Sequence, residues 1–159
     1  MILGLDMATK TGWCLMNLHG QVVASGVQDF SKRRGESNGL MFLRFRNWLY
    51  ANFKQGAAPS IMAYERAHMR GGAATEVCMG FQTHAQSFAA EINAEMAPVP
   101  TTTLKKWATG HGKADKEAMK YRAASFIGRD PIDDNEADAI LVAAWAISEY
   151  GGGQHGTAT

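Results

Sequence analysis

Three acidic residues stand where apolar segments end or begin, a placement that favours chemistry over simple solvation. Asp6 follows the apolar residues 2–5, Glu65 follows the apolar residues 61–64, and Asp138 lies in the first turns of an apolar helix predicted from the sequence. If the two strands are neighbours, Asp6 and Glu65 project from the same edge of one sheet. Like charges brought together raise a carboxyl pKa unless a cation intervenes. Oxygen ligands without Cys or His suit Mg²⁺ or Mn²⁺, so the set indicates a divalent-metal site.

Each of these acids also has an ordinary structural role open to it. Asp6 fits a turn, Glu65 fits a salt bridge, and Asp134, four residues before Asp138, fits the N-cap of the last helix, as do Asp133 and Asn135. Taken singly, each structural role is the simpler interpretation. The combination of three acids, each next to or within an apolar segment, favours the metal site.

The distribution of charge is more informative than its net value. A formal net charge of +1 excludes a strongly basic, tail-driven nucleic-acid binder. Bases nevertheless predominate in residues 101–129, and acids occur without bases in residues 130–149. Such an arrangement suits a phosphate-binding surface beside a cation-binding pocket, and it also suits two solvated faces of opposite charge.

The elements that must position these acids can be predicted from the pattern of apolar residues. The length of 159 residues fits one domain, expected over residues 1–150, and residues 151–159 are expected to form a disordered tail. Extended segments separated by short turns predict an antiparallel meander followed by a further strand. These strands are expected at residues 2–5, 13–18, 21–28 and 60–64, with a short one near Val99. Helices are expected at residues 40–53, 75–96, 114–127 and 136–150, with a helical turn at 104–108. The order predicts an α/β domain of three layers.

Several protein classes are disfavoured by the same sequence. No apolar segment approaches the roughly 18 residues that a membrane span needs, and the first residues lack the basic region of a secretory signal. Cys14 and Cys78 lie in apolar surroundings without metal-type spacing, so both are expected to be buried free thiols. We therefore expect a cytoplasmic protein, in a bacterium or a phage-infected host, with no membrane partner.

Four segments, in order, resemble the motifs of the RuvC family of Holliday-junction resolvases. Residues 2–13 (ILGLDMATKTGW) resemble the family's first strand, catalytic Asp and Thr-Gly turn, and residues 62–69 (MAYERAHM) resemble the strand that ends in the catalytic Glu. Residues 110–116 (GHGKADK) resemble the stretch that leads to a functional Lys, and residues 135–140 (NEADAI) resemble the final acidic motif. Residues 103–107 (TLKKW) and the short chain look most like the phage-encoded branch of the family.

The resemblance implies a fold, a reaction and a ligand set. The fold would be RNase H-like, a five-stranded mixed sheet with helices on both faces. The reaction would be endonucleolytic cleavage of phosphodiester bonds at four-way DNA junctions, with two Mg²⁺ or Mn²⁺ ions per site. Lys116, otherwise an ordinary solvated lysine, would neutralise the scissile phosphate. The implied metal ligands are Asp6, Glu65, Asp138 and either Asp134 or Asn135, since Asn135 stands where many members have a carboxylate or His.

The resemblance also implies a DNA-binding surface and an assembly. Flanking phosphates would be held by Arg66, Arg70, Lys105, Lys106 and Lys113. His68 stands where many members have an aromatic residue that wedges against unpaired bases, and Met69 would share that role. Trp107 is either a core aromatic or a DNA-facing one. Because a four-way junction is two-fold symmetric, a homodimer is expected, with the helix over residues 75–96 as its candidate interface.

Three other functions fit parts of the sequence. Residues 4–9 resemble the first phosphate loop of actin-like and sugar-kinase ATPases, but those proteins need a duplicated domain for which this chain is too short. A non-catalytic binding module would have no reason to retain Asp6, Glu65 and Asp138 together. A nuclease that cuts flaps and other branched DNA with looser selectivity is the closest alternative, and the sequence does not separate it from a strict resolvase.

Overall fold

The computed structural model describes residues 1–56, 58–66 and 71–151, which form five strands and five helices. The strands are β1 (Ile2–Asp6), β2 (Lys10–Met16), β3 (Val22–Asp29), β4 (Ile61–Arg66) and β5 (Glu95–Pro100). The helices are α1 (Asn38–Phe53), α2 (Ala73–Glu91), α3 (Thr101–Thr109), α4 (Lys116–Ile127) and α5 (Asp134–Tyr150). The predicted α/β fold, a five-stranded mixed sheet with helices on both faces, is confirmed.

The sheet has the strand order β3-β2-β1-β4-β5. β2 is antiparallel to β1 and to β3, whereas β4 is parallel to β1 and to β5. The strands β1, β3, β4 and β5 therefore all run in one direction and finish at the same end of the sheet. We call this the carboxyl end of the sheet.

The alternation of side chains along the strands divides the core into two halves. In β1, Leu3 and Leu5 face α1 and α2, whereas Ile2 faces α5. In β4, Ala63 also packs in the cluster around α5. Since successive side chains of a strand point to opposite faces, Asp6, the last residue of β1, and Glu65, the last but one of β4, are directed to the α5 face.

Two glycines allow α5 to lie directly on the sheet. A Cβ atom at Gly4 of β1 would overlap the carbonyl oxygen of Ala139, and one at Gly12 of β2 would overlap the carbonyl group of Asn135. Any side chain at these two positions would push the first turns of α5 away from β1 and β2. The close approach fixes where Asp138 lies relative to the end of β1.

The predicted boundary between α2 and β5 is wrong. The helix expected over residues 75–96 ends at Glu91, where Ile92 caps it with its backbone N–H and Asn93 adopts a left-handed φ of 55°. Residues 95–100 then form a six-residue strand rather than a short one near Val99. Its prolines are compatible with a strand because β5 lies at the edge of the sheet. The expected helical turn at 104–108 is a nine-residue helix, α3.

The structure shows how far three further side chains, Cys14, Cys78 and Trp107, are buried. Cys14 is buried, and burial, followed by the nearby charge of Glu136, raises the pKa of its thiol to about 12. Cys78 is only half-buried, so the expectation of a buried thiol is wrong there. Trp107 is half-buried against the cluster around α5, which favours its interpretation as a core aromatic.

Several small and apolar residues of α2, the helix expected to form the dimer interface, also serve the fold of this chain. A Cβ at Gly80 would overlap the ring of Phe42, so this glycine brings α1 and α2 together. Phe81, Ala85 and Phe88 are buried in the core between α2 and the sheet. The homodimer itself stays a prediction.

Two further points concern membrane-spanning helices and the end of the chain. None of its helices combines the length and apolar character that a membrane crossing requires. Residues 152–159, most of the expected tail, lie outside the described residues, so the expected domain limits stay a prediction.

Candidate active site

Asp6 and Glu65 occupy equivalent positions on neighbouring parallel strands. Leu5 of β1 pairs with Tyr64 of β4, so the next residue of each strand is an acid at the carboxyl end of the sheet. Neighbouring strands are about 4.8 Å apart. Asp138 reaches the same place from α5, and all three acids are half-buried. The structure thus brings together the three acids that the sequence singled out.

The three carboxyl groups act on one another electrostatically. The pKa of Asp6 is raised to about 8, first by burial and then by the charges of Asp138, Glu65 and Asp133 in that order. The pKa of Asp138 is raised to about 7, first by burial and then by Glu65 and Asp134, against the opposing effect of Lys105 and Lys116. The site therefore concentrates negative potential that nearby lysines only partly offset.

This donor set matches the chemistry of a hard divalent cation. Carboxylate oxygens are the ligands that Mg²⁺ and Mn²⁺ prefer, and a cation would relieve the mutual repulsion of the acids. In the described part of the chain, no group of three or more Asp, Glu, His or Cys side chains is arranged so that it could hold a metal ion as it stands. If these residues hold an ion, their carboxylates would have to move closer together around it.

Asp134 lies beside this set, but two lysines engage its carboxylate. The distances from its oxygens to Nζ of Lys116 and Lys120 are 2.5 and 2.8 Å. The hydrogen bonds from Lys116 and Lys120 hold the pKa of Asp134 below its usual range. Its carboxylate is therefore ionised and already neutralised in part, which contrasts with Asp6 and Asp138.

Asp133, and not Asp134, is the N-cap of α5. Its Oδ1 accepts hydrogen bonds from the backbone N–H groups of Asn135 and Glu136, at 2.9 and 3.1 Å. The side-chain amide of Asn135 donates to Oδ2 of Asp133 at 3.0 Å. The N-cap interpretation of Asp134 is therefore wrong, and the structure leaves Asp134 free of any capping role.

A pocket opens beside the acids, and two of its polar residues were not expected from the sequence. Thr101, the first residue of α3, donates a hydrogen bond of 2.5 Å to Oε1 of Glu65 and so orients that carboxylate. Lys120 lies one helical turn after Lys116 on the same face of α4. The spacing of the two lysines was a usable signal for Lys120. Thr101 could be found only once β5 was known to end at Pro100.

A second buried acid of α5 was also missed, although it lies inside the final motif. The side chain of Glu136 is entirely buried. It accepts hydrogen bonds from both terminal nitrogens of Arg129 at 2.6 and 3.0 Å, from Oγ of Ser25 at 2.7 Å and from the backbone N–H of Ile132 at 2.6 Å. These bonds fasten the first turn of α5 to β3 and to the loop after α4. An acid between apolar helix residues was the signal for it.

The residues expected to hold DNA are only partly described. Arg66 is exposed at the end of β4, and Lys106 and Lys113 are exposed on α3 and on the loop before α4. Lys105 is half-buried and lines the pocket beside Asp138. The remaining three, His68, Met69 and Arg70, lie outside the described residues.

Comparisons with known proteins agree with this architecture. No protein-family model matches the chain. The crossover junction endodeoxyribonuclease RuvC of Rickettsia prowazekii is 30% identical over 152 residues, which cover 90% of this chain and 94% of the relative. The RuvC of Rickettsia typhi is 29% identical over 150 residues, with the same coverage.

Solved structures show the same fold at low identity. The Thermus thermophilus RuvC structure superposes with a TM-score of 0.75 at 16% identity, covering 90% of both chains. The T. thermophilus RuvC in complex with a Holliday junction substrate gives a TM-score of 0.71 at 17% identity, covering 93% of this chain and 95% of the other. Fold, strand-end acids and a relative at 30% identity over nearly the whole length agree, and the chain belongs to the RuvC family.

Proposed function

We propose that this chain is a structure-selective endonuclease that cleaves phosphodiester bonds at four-way DNA junctions. The observation that carries the proposal is the convergence of Asp6, Glu65 and Asp138 at the carboxyl end of the sheet. These acids come from β1, β4 and α5, and the charge of Glu65 raises the pKa of both Asp6 and Asp138. Such an arrangement costs stability and benefits only a site that receives positive charge. The names of the relatives, crossover junction endodeoxyribonuclease, supply the reaction.

The proposal includes two Mg²⁺ or Mn²⁺ ions. They would be held by Asp6, Glu65 and Asp138, with Asp134 or Asn135 completing the set. When bound, such ions supply an activated water for in-line attack and stabilise the leaving oxygen. The pairing of Asp134 with two lysines gives it a second task in either case, because it holds both ammonium groups at the pocket.

The chain's own residues orient the carboxylates and prepare the pocket for a phosphate. Thr101 fixes one oxygen of Glu65, which limits the directions that this carboxylate can take. Lys105 and Lys116 act on Asp138 as positive charges, and Lys105, Lys116 and Lys120 all line the pocket. A phosphate bound there would meet these ammonium groups, and Lys116, the more exposed of the two that pair with Asp134, is placed to neutralise it.

The finer parts of the proposal concern assembly and origin. Two opposed cuts on a two-fold symmetric junction are most simply made by a homodimer. We keep the helix α2 as its candidate interface, through the surface that does not pack in the core of this chain. A cytoplasmic location and the resemblance to the phage-encoded branch belong to the proposal as well, although the relatives named above are Rickettsia proteins.

The deciding experiment compares labelled four-way junctions, flaps and plain duplex as substrates, with Mg²⁺ present. We expect paired cuts on opposite strands of the junction and little cleavage of the other two. The Asp6→Asn variant should be inactive, whereas Glu95→Gln, which removes an exposed acid at the other end of the sheet, should cut normally. Equal cleavage of flaps and junctions, together with sedimentation as a monomer with and without junction, would favour the looser branched-DNA nuclease.

A further inference from the structure

The loop between β3 and α1 lies at the same end of the sheet as the candidate active site. β3 runs parallel to β1, because both are antiparallel to β2, so residues 31–37 leave the sheet at its carboxyl end. The backbone N–H of Phe30 donates to the carbonyl oxygen of Thr9 at 2.7 Å. Thr9 lies in the turn that directly follows Asp6, and the loop therefore begins beside the site on its β3 side.

This loop carries three consecutive bases, Lys32, Arg33 and Arg34, and all three are exposed. Within residues 1–56, 58–66 and 71–151, none of them forms an ion pair. The acid of the loop, Glu36, is engaged by Arg44 of α1, whose two terminal nitrogens lie 2.9 and 3.1 Å from its oxygens. The positive charge of the three bases is thus directed to solvent.

The backbone of the loop is held in place although its bases are free. Arg44 also donates to the carbonyl oxygens of Phe30 and Ser31, both at 3.2 Å. Glu36 accepts a 2.8 Å bond from the backbone N–H of Arg33, and Asp29 accepts a 2.7 Å bond from that of Ser31. A loop fixed in this way loses little further conformational entropy when its side chains meet a ligand.

The strand order places bases on both sides of the acids. The loop lies at the β3 side, Asp6 and Glu65 lie in the middle, and Lys105 follows β5 at the other side. Four strand spacings of about 4.8 Å span roughly 19 Å. One DNA strand covers that distance in about six nucleotides, at 3.4 Å each.

We propose that Lys32, Arg33 and Arg34 form a second phosphate-binding surface, which holds the DNA backbone on the β3 side of the cut. The lysines of α3 and α4 hold it on the β5 side. This inference rests on the proposed function, since it names the part of the substrate that the loop contacts: the phosphates of the arm that leaves the site over β3. It concerns affinity and not base identity, because phosphate contacts position DNA without reading sequence.

The test is the salt dependence of junction binding. A fluorescently labelled four-way junction is titrated, in EDTA, with the wild type and with the Lys32→Gln/Arg33→Gln/Arg34→Gln variant at salt from about 50 to 200 mM. The slope of log K against log salt is negative, and each lost phosphate contact reduces its magnitude by about 0.9. The magnitude should therefore be smaller by up to about 2.7 in the variant. The matched control is Arg46→Gln/Lys54→Gln/Arg122→Gln, which removes the same charge from exposed positions on α1, at its C-cap and on α4, none of which lines the pocket. The control should keep the wild-type slope, and thermal unfolding of both variants checks that they fold.

Every outcome decides the proposal. An equal loss in the loop variant and the control means that overall charge carries binding, which overturns the role of the loop. A loop variant with the wild-type slope also overturns the role of the loop. If the wild type then cleaves the junction in Mg²⁺, the proposed function stands without that role. If the wild type neither binds nor cuts the junction, the proposed function fails and the role of the loop fails with it.

Discussion

Glu136 and Asp138 lie two residues apart at the start of α5, and the protein treats them in opposite ways. Burial acts to raise the pKa of Glu136, but the hydrogen bonds from Arg129, the Ile132 N–H and Ser25 outweigh it and hold the pKa below its usual range. The pKa of Asp138 is raised to about 7, by burial and then by neighbouring acids. The chain provides a cation and donors where the acid holds the fold together. It provides further acids where, we propose, a cation must come from solution.

The strongest test of this contrast removes the two acids that form no ion pair with a basic side chain in the described part of the chain. Asp6→Asn and Asp138→Asn should each lower the single-turnover rate of junction cleavage by about 10³-fold or more, because an ion contributes several kcal/mol of charge stabilisation in the transition state. Both variants should be at least as stable as the wild type in EDTA, since each relieves repulsion. Cleavage near the wild-type rate in either variant would show that these acids do not hold the ions.

Removing the cation that pairs with Glu136 should have the opposite effect, a loss of stability. Arg129→Met leaves the carboxylate of Glu136 buried without its cation, and we expect a loss of about 3 kcal/mol in the free energy of unfolding, the lower end for a buried pair because Arg129 is half-exposed. Urea denaturation measures it. The double variant Arg129→Met/Glu136→Gln should recover part of the loss, because the buried charge is gone. A double variant as unstable as the sum of the singles would contradict the pairing.

Asp134 is intermediate between Glu136 and Asp138. It forms ion pairs with Lys116 and Lys120, and its charge also raises the pKa of Asp138. Asp134→Asn should lower the cleavage rate roughly tenfold or more, as for partners that orient metal ligands, and Asn135→Ala should lower it less. Cleavage rates at several Mg²⁺ concentrations measure the difference. A larger effect of Asn135→Ala would instead assign the fourth ligand to the position three residues before Asp138.

The last expected effect is on thermal stability in the absence of metal. Asp6 and Asp138 have pKa values of about 8 and 7 in the fold, against an ordinary value near 4 in the unfolded chain. Between about pH 4 and pH 8 the folded state therefore holds protons that the unfolded state has lost, and stability falls as pH rises. Melting in EDTA from pH 5.5 to 8 should show a decrease on the order of ten degrees, which Asp6→Asn reduces. A flat profile in the wild type would contradict the raised pKa values.

The placement of the site was predictable because it depends on short segments with strong patterns. The pattern of an apolar strand followed by an acid can be recognised in residues 2–6 and 61–65. Parallel pairing of the two strands then brings the two acids together. The motif resemblance added Lys116, which the structure places at the pocket. These inferences needed only local sequence and the rule that parallel strands end at one edge.

The rest depended on partners that are distant in sequence. The end of α2 was missed because Ile92, Ala94 and Met96 continue an apolar pattern, while the turn at Asn93 depends on a backbone conformation that the pattern does not encode. Glu136 was counted only as part of an acidic segment, since its role requires Ser25 of β3 to lie beside it. Thr101 required the position of β5.

The attachment of α5 to the first strands has a consequence for the timing of synthesis. Ser25 and Glu136, which bond to each other in the folded protein, are 111 residues apart in the chain. At about 5–20 residues per second, a ribosome needs roughly 5–20 seconds between them. During that interval the nascent chain already contains Asp6 and then Glu65, but not the helix that brings Asp138 to them. A nascent chain that ends before α5 therefore lacks Asp138 and cannot assemble the three acids of the candidate site.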